Sequence, residues 1–214
     1  MQGPIKKIPQ ELINLYTLNG KIPVYDSYFE ENNKNKIIWS DKLIKDIEQR
    51  YTKENIIDNK HQYLERWKHG GEPYPDHRIG GGCLLLQQSF NKYSISEKNV
   101  AIIGSTTPWI ECMCMNNDAN EITTVEYNIP HCSDTRIKMM DYYNDFQKNT
   151  GSDGQFDTII SYSSIEHSGL GRYGDNLDPE GDFKTMNDIY QNLKDDGLLF
   201  LGIPVGLDAL CWNA

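Results

Sequence analysis

The spacing of apolar residues changes character near residue 98. Beyond that point they gather into short runs separated by polar segments of helical length, the pattern of a parallel sheet with crossovers on its faces. Val100-Ala101-Ile102-Ile103-Gly104 reads as a first strand and Ile122-Thr123-Thr124-Val125-Glu126 as a second. Ile137 to Asp141 reads as a brief third, although Met139, Met140, Tyr143 and Phe146 also fit a helix face. Phe156 to Tyr162 gives a further strand, and Leu198 to Pro204 a last one that is apolar throughout, as burial on both faces requires. A helix from about Pro108 to Asn117 follows the first strand. Asp178-Pro179 marks the start of another, running through Phe183, Met186, Tyr190 and Leu193 to Gly197.

Ahead of residue 98 the rhythm is different. Residues 1–39 mix Pro4, Pro9, Gly20 and Pro23 with the nearly apolar-free Glu30 to Lys36, which reads as an extended arm. Over 40–97 the reading is a helical lead-in that packs on the sheet. Ser40 is placed to cap a helix with Leu43, Ile44, Ile47 and Tyr51 on one face, and Thr52 a second with Ile56, Tyr63 and Trp67, stopped by Gly70-Gly71. A loop rich in Gly and Pro fills 70–82, and Cys83-Leu84-Leu85-Leu86 opens a buried helix. The predicted fold class is therefore α/β: a three-layer, Rossmann-like, mostly parallel sheet with helices on both faces over 98–214, preceded by helices. The antiparallel strands that usually follow the last strand of this fold are expected to be missing.

Composition narrows the functions available. A net charge of -10 repels phosphate backbones and acidic membrane surfaces, so neither nucleic acid nor membrane is an expected partner. No window approaches eighteen uninterrupted apolar residues, and the opening residues lack a secretory signal, which makes cytoplasmic the default location. The five cysteines are odd in number and include no C-x-x-C. Cys83, Cys132 and Cys211 read as small buried apolar residues, and Cys112 and Cys114 as reduced thiols.

The chemistry is concentrated at strand ends. Gly104 ends the first strand, and Glu126 ends the second 22 residues later. At the carboxyl edge of a parallel sheet, a glycine there admits a ligand close to the backbone and an acid there accepts the two hydroxyls of a ribose. The segment after Ile160 reaches the same edge, which places Ser163, Glu166 and His167 for function. Glu166 or His167 is a candidate base for an attacking hydroxyl; the alternative is that the pair caps the following turn. His167 to Asp178 combines three glycines with Arg172, Tyr173 and Asp175 and reads as a substrate-contacting lid rather than an idle surface loop. Tyr74, His77 and Arg78 would form another wall of the substrate site. A metal site from His69, Asp76 and His77 lacks the register that would aim the ligands, so no metal is expected.

The order of these strands and motifs resembles the class I S-adenosylmethionine-dependent methyltransferases over residues 98 to 204. At finer grain, Gly-Ser-Thr-Thr-Pro-Trp-Ile-Glu (104 to 111), Thr-Val-Glu-Tyr-Asn (124 to 128), the 163 to 175 segment and Gly-Ile-Pro-Val-Gly (202 to 206) resemble domain-of-unknown-function family 268, first catalogued from nematode proteins. The resemblance implies S-adenosylmethionine as cofactor. It implies that Gly104, Ser105 and Thr106 line its methionine part, that Glu126 with Tyr127 holds the ribose, and that Asp141 and Tyr142 lie beside the adenine, with Ser161 and Ser163 completing the site. The implied activity is methyl transfer to a small polar acceptor, hydroxyl-bearing or sugar-like. Where the superfamily has two or three glycines in the first loop, this chain has one, followed by Ser105, Thr106, Thr107, Pro108 and Trp109. That departure keeps two other readings open: a methyltransferase-like binding module without activity, and a nucleotide-sugar enzyme on the same layout.

Overall fold

A computed structural model describes residues 5–26, 37–58, 81–149 and 154–212. In chain order the elements are α1 (Ile13–Tyr16), β1 (Val24–Asp26), β2 (Ile38–Trp39), α2 (Asp41–Arg50), α3 (Lys53–Asp58), α4 (Gly81–Lys92), β3 (Asn99–Ile103), α5 (Trp109–Met115), β4 (Glu121–Glu126), β5 (His131–Cys132), β6 (Ile137–Asp141), β7 (Phe156–Tyr162), α6 (Gly181–Asn192), β8 (Leu193–Gly202) and β9 (Leu210–Trp212). The central sheet has five strands in the order β6-β4-β3-β7-β8, every pairing parallel. Its first strand in the chain, β3, lies in the middle. The strand order therefore reverses between β3 and β7, and the crevice of a doubly wound sheet opens at that point.

Strand β3 shows why the apolar runs are unbroken. Val100 and Ile102 face one core with Ile44, Ile47, Phe90, Ile110 and Met113, while Ala101 and Ile103 face another with Val125, Tyr142, Phe156, Ile159 and Ile189. A strand covered on both faces has no solvent side on which polar residues could alternate.

The lead-in is fastened to the first of these cores. Ser40 Oγ accepts the Leu43 amide and caps α2, as its position in the sequence predicts. Ile44 and Ile47 are buried, and Asn116 Nδ2 donates to the carbonyls of Glu48 and Tyr51 at 2.9 and 3.0 Å, closing the end of α2 onto the end of α5. Trp39, almost wholly buried, donates from Nε1 to the Thr106 carbonyl, and β2 pairs with β5.

Several boundaries differ from the sequence reading. The last helix begins at Gly181, with Asp178 turning the chain ahead of it through contacts with the Glu180 and Gly181 amides. That helix ends at Asn192 and not at Gly197, because Leu193 already pairs with Phe156 and crosses so near Gly154 that a Cβ there would overlap its backbone. The helix after β3 starts at Trp109, with Pro108 just outside it. Helix α4 begins at Gly81, inside the stretch read as a loop; Gly82 leaves room for the Tyr162 ring, whose hydroxyl a Cβ at 82 would meet. The arm is docked rather than free. Its β1 pairs with β9, and Tyr16 packs edge-on against the buried Trp212 at 5.4 Å. Cys211 is exposed, contrary to the buried reading, and Cys132 is half-buried. The second half of the Thr52-capped helix, with Tyr63 and Trp67, falls outside the described residues, as do Tyr74, His77, Arg78 and the His69, Asp76, His77 grouping.

Candidate functional site

A cavity of about 350 Å³ opens at the carboxyl ends of β4, β3 and β7, within the size range of small-molecule sites. Gly104, Ser105 and Thr106 from the loop after β3, Glu126 and Tyr127 from the end of β4, Tyr142, and Ser163, His167, Tyr173 and Asp175 from the segment after β7 all line it. Thr106 and Trp109 form part of its wall. The two ends that the spacing singled out, Gly104 and Glu126, thus face one hollow.

Gly104 is held at φ +76°, a left-handed conformation that favours glycine, and a Cβ there would overlap the Ser164 hydroxyl. The close approach at this glycine is thus made by the loop after β7. Beyond it, Ser105 joins two carboxylates. Its amide donates to Glu126 Oε1, and its hydroxyl lies 3.1 Å from Glu111 Oε2; Thr124 donates to the other Glu111 oxygen at 2.8 Å. Glu111 is wholly buried and Glu126 nearly so. Burial pushes both carboxyls up to about 7, Glu126 against the opposing pull of the Ser105 amide.

The sequence did not single out Glu111. Its signal was available: an acid in the apolar helix α5 one turn after the glycine loop, which only a polar partner inside the core explains. Also unforeseen in the wall are Ile47, Arg50 and Tyr51 of the α2 end, Thr107, Trp109, Tyr162, Ser164 and Ser168. Tyr51, Trp109 and Tyr162 form a continuous aromatic side, with ring centroids 5.8 and 5.5 Å apart. Tyr127 and Tyr142 form a second, their ring centroids 4.5 Å apart, with Tyr143 packed against both from outside the lining. The Tyr142 hydroxyl is already engaged with Asp188 and Thr185 at 2.8 and 3.1 Å, so its ring is what faces the hollow.

Among the described residues, four expected site residues are not in the wall. Asp141 caps the π-helical turn Tyr142–Phe146, accepting from the Asn144 amide at 2.8 Å. Ser161 is fully buried within β7, and among the described residues its hydroxyl has no hydrogen-bond partner. Arg172 stacks over the Tyr173 ring at 5.5 Å, outside the cavity lining. Glu166 lies behind His167, its Oε1 4.0 Å from His167 Nε2; among the described residues neither of its buried oxygens has a hydrogen-bond partner.

Asp175 does line the cavity, but its carboxylate serves the loop. Oδ2 accepts the Gly169 and Gly171 amides at 2.8 Å each, and Oδ1 the Tyr173 amide at 3.0 Å. Asn128 donates to the Tyr173 carbonyl, Tyr16 to the Gly169 carbonyl, and the Asn176 amide to the Tyr143 hydroxyl. The segment read as a hinged lid is stitched to the body at these three points. His167 faces the cavity with its imidazole held below its ordinary value of 6.5, chiefly by desolvation, against the pull of Glu166. It is therefore neutral at pH 7. Among the described residues no cluster of three or more metal-ligating side chains is present, and no helix is long and apolar enough to cross a membrane.

A central parallel sheet wound to both sides, with its crevice where the strand order reverses, defines the protein as a Rossmann-like α/β protein. The chain belongs to the family described as Caenorhabditis protein of unknown function, DUF268, whose model matches residues 97–214. No curated protein matches it. Among solved structures it is similar to a complex between the Haloferax volcanii Trm112 methyltransferase activator and a protein assigned as a methyltransferase. The likeness has 10% identity and a TM-score of 0.33, and covers 71% of this chain. The chain spans 57% of that neighbour's length.

Proposed function

We propose that the protein is an S-adenosylmethionine-dependent methyltransferase acting on a small polar, hydroxyl-bearing acceptor. The observation that carries this reading is the convergence of Gly104 and Glu126 on one cavity at the reversal point of the sheet, between two aromatic sides. The residues fit such a cofactor: a carboxylate at the end of the second strand for ribose hydroxyls, tyrosine rings beside it for a base, and serine and threonine hydroxyls along the first loop. When bound, the cofactor supplies a methyl group on a sulfonium. The chain's own part is then to align the acceptor oxygen and remove its proton.

His167 is suited to that removal, since its imidazole faces the cavity and is neutral at pH 7. As the acceptor hydroxyl loses its proton to His167, the positive charge that develops there lies beside the Glu166 carboxylate, which stabilises it. Incubating the protein with the cofactor and a panel of monosaccharides and polyols should give acceptor-dependent S-adenosylhomocysteine. His167→Ala should lower that rate by roughly 100-fold, while leaving cofactor binding in place.

One observation favours a second reading, a binding module without transfer activity. The conformation of Gly104 is accounted for by Ser164, and Glu126 already accepts the Ser105 amide, so neither residue needs a cofactor to explain it. Cofactor binding without product from any acceptor would favour that module.

A further inference from the structure

Arg50 is the last residue of α2, in a segment ahead of the sheet and outside the matched family region. It is half-buried and lines the cavity together with Ile47 and Tyr51. A cation at a helix C-terminus is favoured by the helix dipole, which explains its place in the chain but not its place in a cavity wall. The acids of the described wall, and Glu48 on the same helix, are otherwise engaged: Glu48 takes two bonds from Arg136 at 2.9 Å each, Asp175 takes three backbone amides, and Glu126 takes the Ser105 amide. Among the described residues no carboxylate pairs with Arg50. His167, the other basic residue of the wall among the described residues, is neutral at pH 7.

The position is also fixed. Ile44 and Ile47 are buried, Asn116 ties down the carbonyls of Glu48 and Tyr51 on either side of Arg50, and the Tyr51 ring packs on Trp109. Trp109 in turn meets Tyr162, at the end of β7, whereas Glu126 ends β4. Those strands are separated by β3, so Tyr162 and Glu126 stand roughly 10 Å apart at two strand spacings, and Tyr51, next to Arg50, reaches the Tyr162 side through Trp109. A ligand that fills the cavity has both the Glu126 carboxyl and the Arg50 guanidinium in its wall.

We infer that Arg50 is an anion anchor, which receives a carboxylate or phosphate group of a ligand whose hydroxyl-bearing end lies at Glu126. The guanidinium fork matches such groups with two parallel hydrogen bonds, and an otherwise unpaired cation gains most from them. The inference rests on the methyltransferase reading for the nucleoside end of the ligand. On that reading the anion is either the amino-acid carboxylate of the cofactor or a charged group of the acceptor.

Calorimetric titration of the full chain with S-adenosylmethionine and with 5′-methylthioadenosine, which lacks the amino-acid end, separates these sources. If the cofactor's carboxylate is the anion, the wild type prefers S-adenosylmethionine by roughly tenfold or more. Arg50→Gln then removes that preference with the methylthioadenosine affinity unchanged, and Arg50→Lys keeps part of it. If the anion belongs to the acceptor, inorganic phosphate raises the melting temperature of the methylthioadenosine-bound wild type by roughly 3 °C over matched sodium chloride, and Arg50→Gln abolishes the rise. Either pattern supports the anchor. An unchanged ligand preference together with an unchanged phosphate response in Arg50→Gln overturns it, and so does an equal loss for both nucleosides, which would mark a structural role. Failure of the wild type to bind either nucleoside counts against the methyltransferase reading instead, and the phosphate response of the free protein then decides for or against Arg50 alone.

Discussion

Ser105 is the residue on which the site turns. Through one amide and one hydroxyl it ties the first loop to Glu126 and Glu111, two carboxyls that burial raises to about 7 from an ordinary 4.5. Their folded values lie above the unfolded one, so between these two points the folded chain holds protons that the unfolded chain has lost. The stabilisation is full below pH 4.5 and fades as the pH rises through about 7. For Glu111, wholly buried, the change is on the order of 3 kcal/mol. Glu111→Gln should flatten the fall in stability between pH 5 and 8 and leave the variant no less stable than wild type at pH 8, as read from denaturant midpoints across that range. Parallel pH curves for the two proteins would refute the role given to Glu111. From sequence, Glu126 was legible because it closes an apolar strand at a fixed distance from a glycine. Glu111 was legible only as an acid out of place in an apolar helix; helix periodicity reports which face is buried and says nothing of the acid's partners.

At the scale of elements, the segment from Ser163 to Asp178 is a preformed wall. Asp175 accepts three amides of its own loop, and Asn128, Tyr16 and Tyr143 fasten that loop from three other parts of the chain. Asp175→Ala would leave three amides without that acceptor in a half-buried turn, at about 2 to 4 kcal/mol of stability. Limited proteolysis should then cut within 169–177 at a protease level that spares the wild type, and equal resistance of the two would show that the other fastenings suffice. Glycine spacing had suggested a hinge here. Glycines give the same signal in a mobile loop and in a tight, fully bonded one, and the difference lies in long-range partners such as Asn128 that local pattern does not reveal. The strands were legible for the opposite reason: a strand buried on both faces is largely apolar, and β3, β4 and β7 are found within a residue or two of where the runs place them, whereas the last run, read as buried on both faces, forms the edge strand β8 with Leu198 and Leu201 exposed. The end of α6 was missed because the crossing of Leu193 over Gly154, and not the glycine at 197, stops the helix.

On the scale of the whole molecule, the segments ahead of the sheet belong to the site. Helix α2 supplies Ile47, Arg50 and Tyr51 to the cavity, Trp39 holds the Thr106 carbonyl, and Tyr16 holds the loop that carries Asp175. The matched family region, 97–214, contributes the strand ends but not this wall. Charge follows the same division. In a protein of net charge -10, Arg50 is a cation in the wall of a hollow whose acids among the described residues, Glu126 and Asp175, are already bonded to backbone. The account depends on that hollow accepting an adenosyl group between Glu126 and the first loop. Titrating the purified full chain with S-adenosylmethionine in a calorimeter tests this most directly. The account requires saturable heat at one site per chain, weakened at least tenfold in Glu126→Ala with the fold retained. No heat from wild type and no shift in its melting temperature would contradict it.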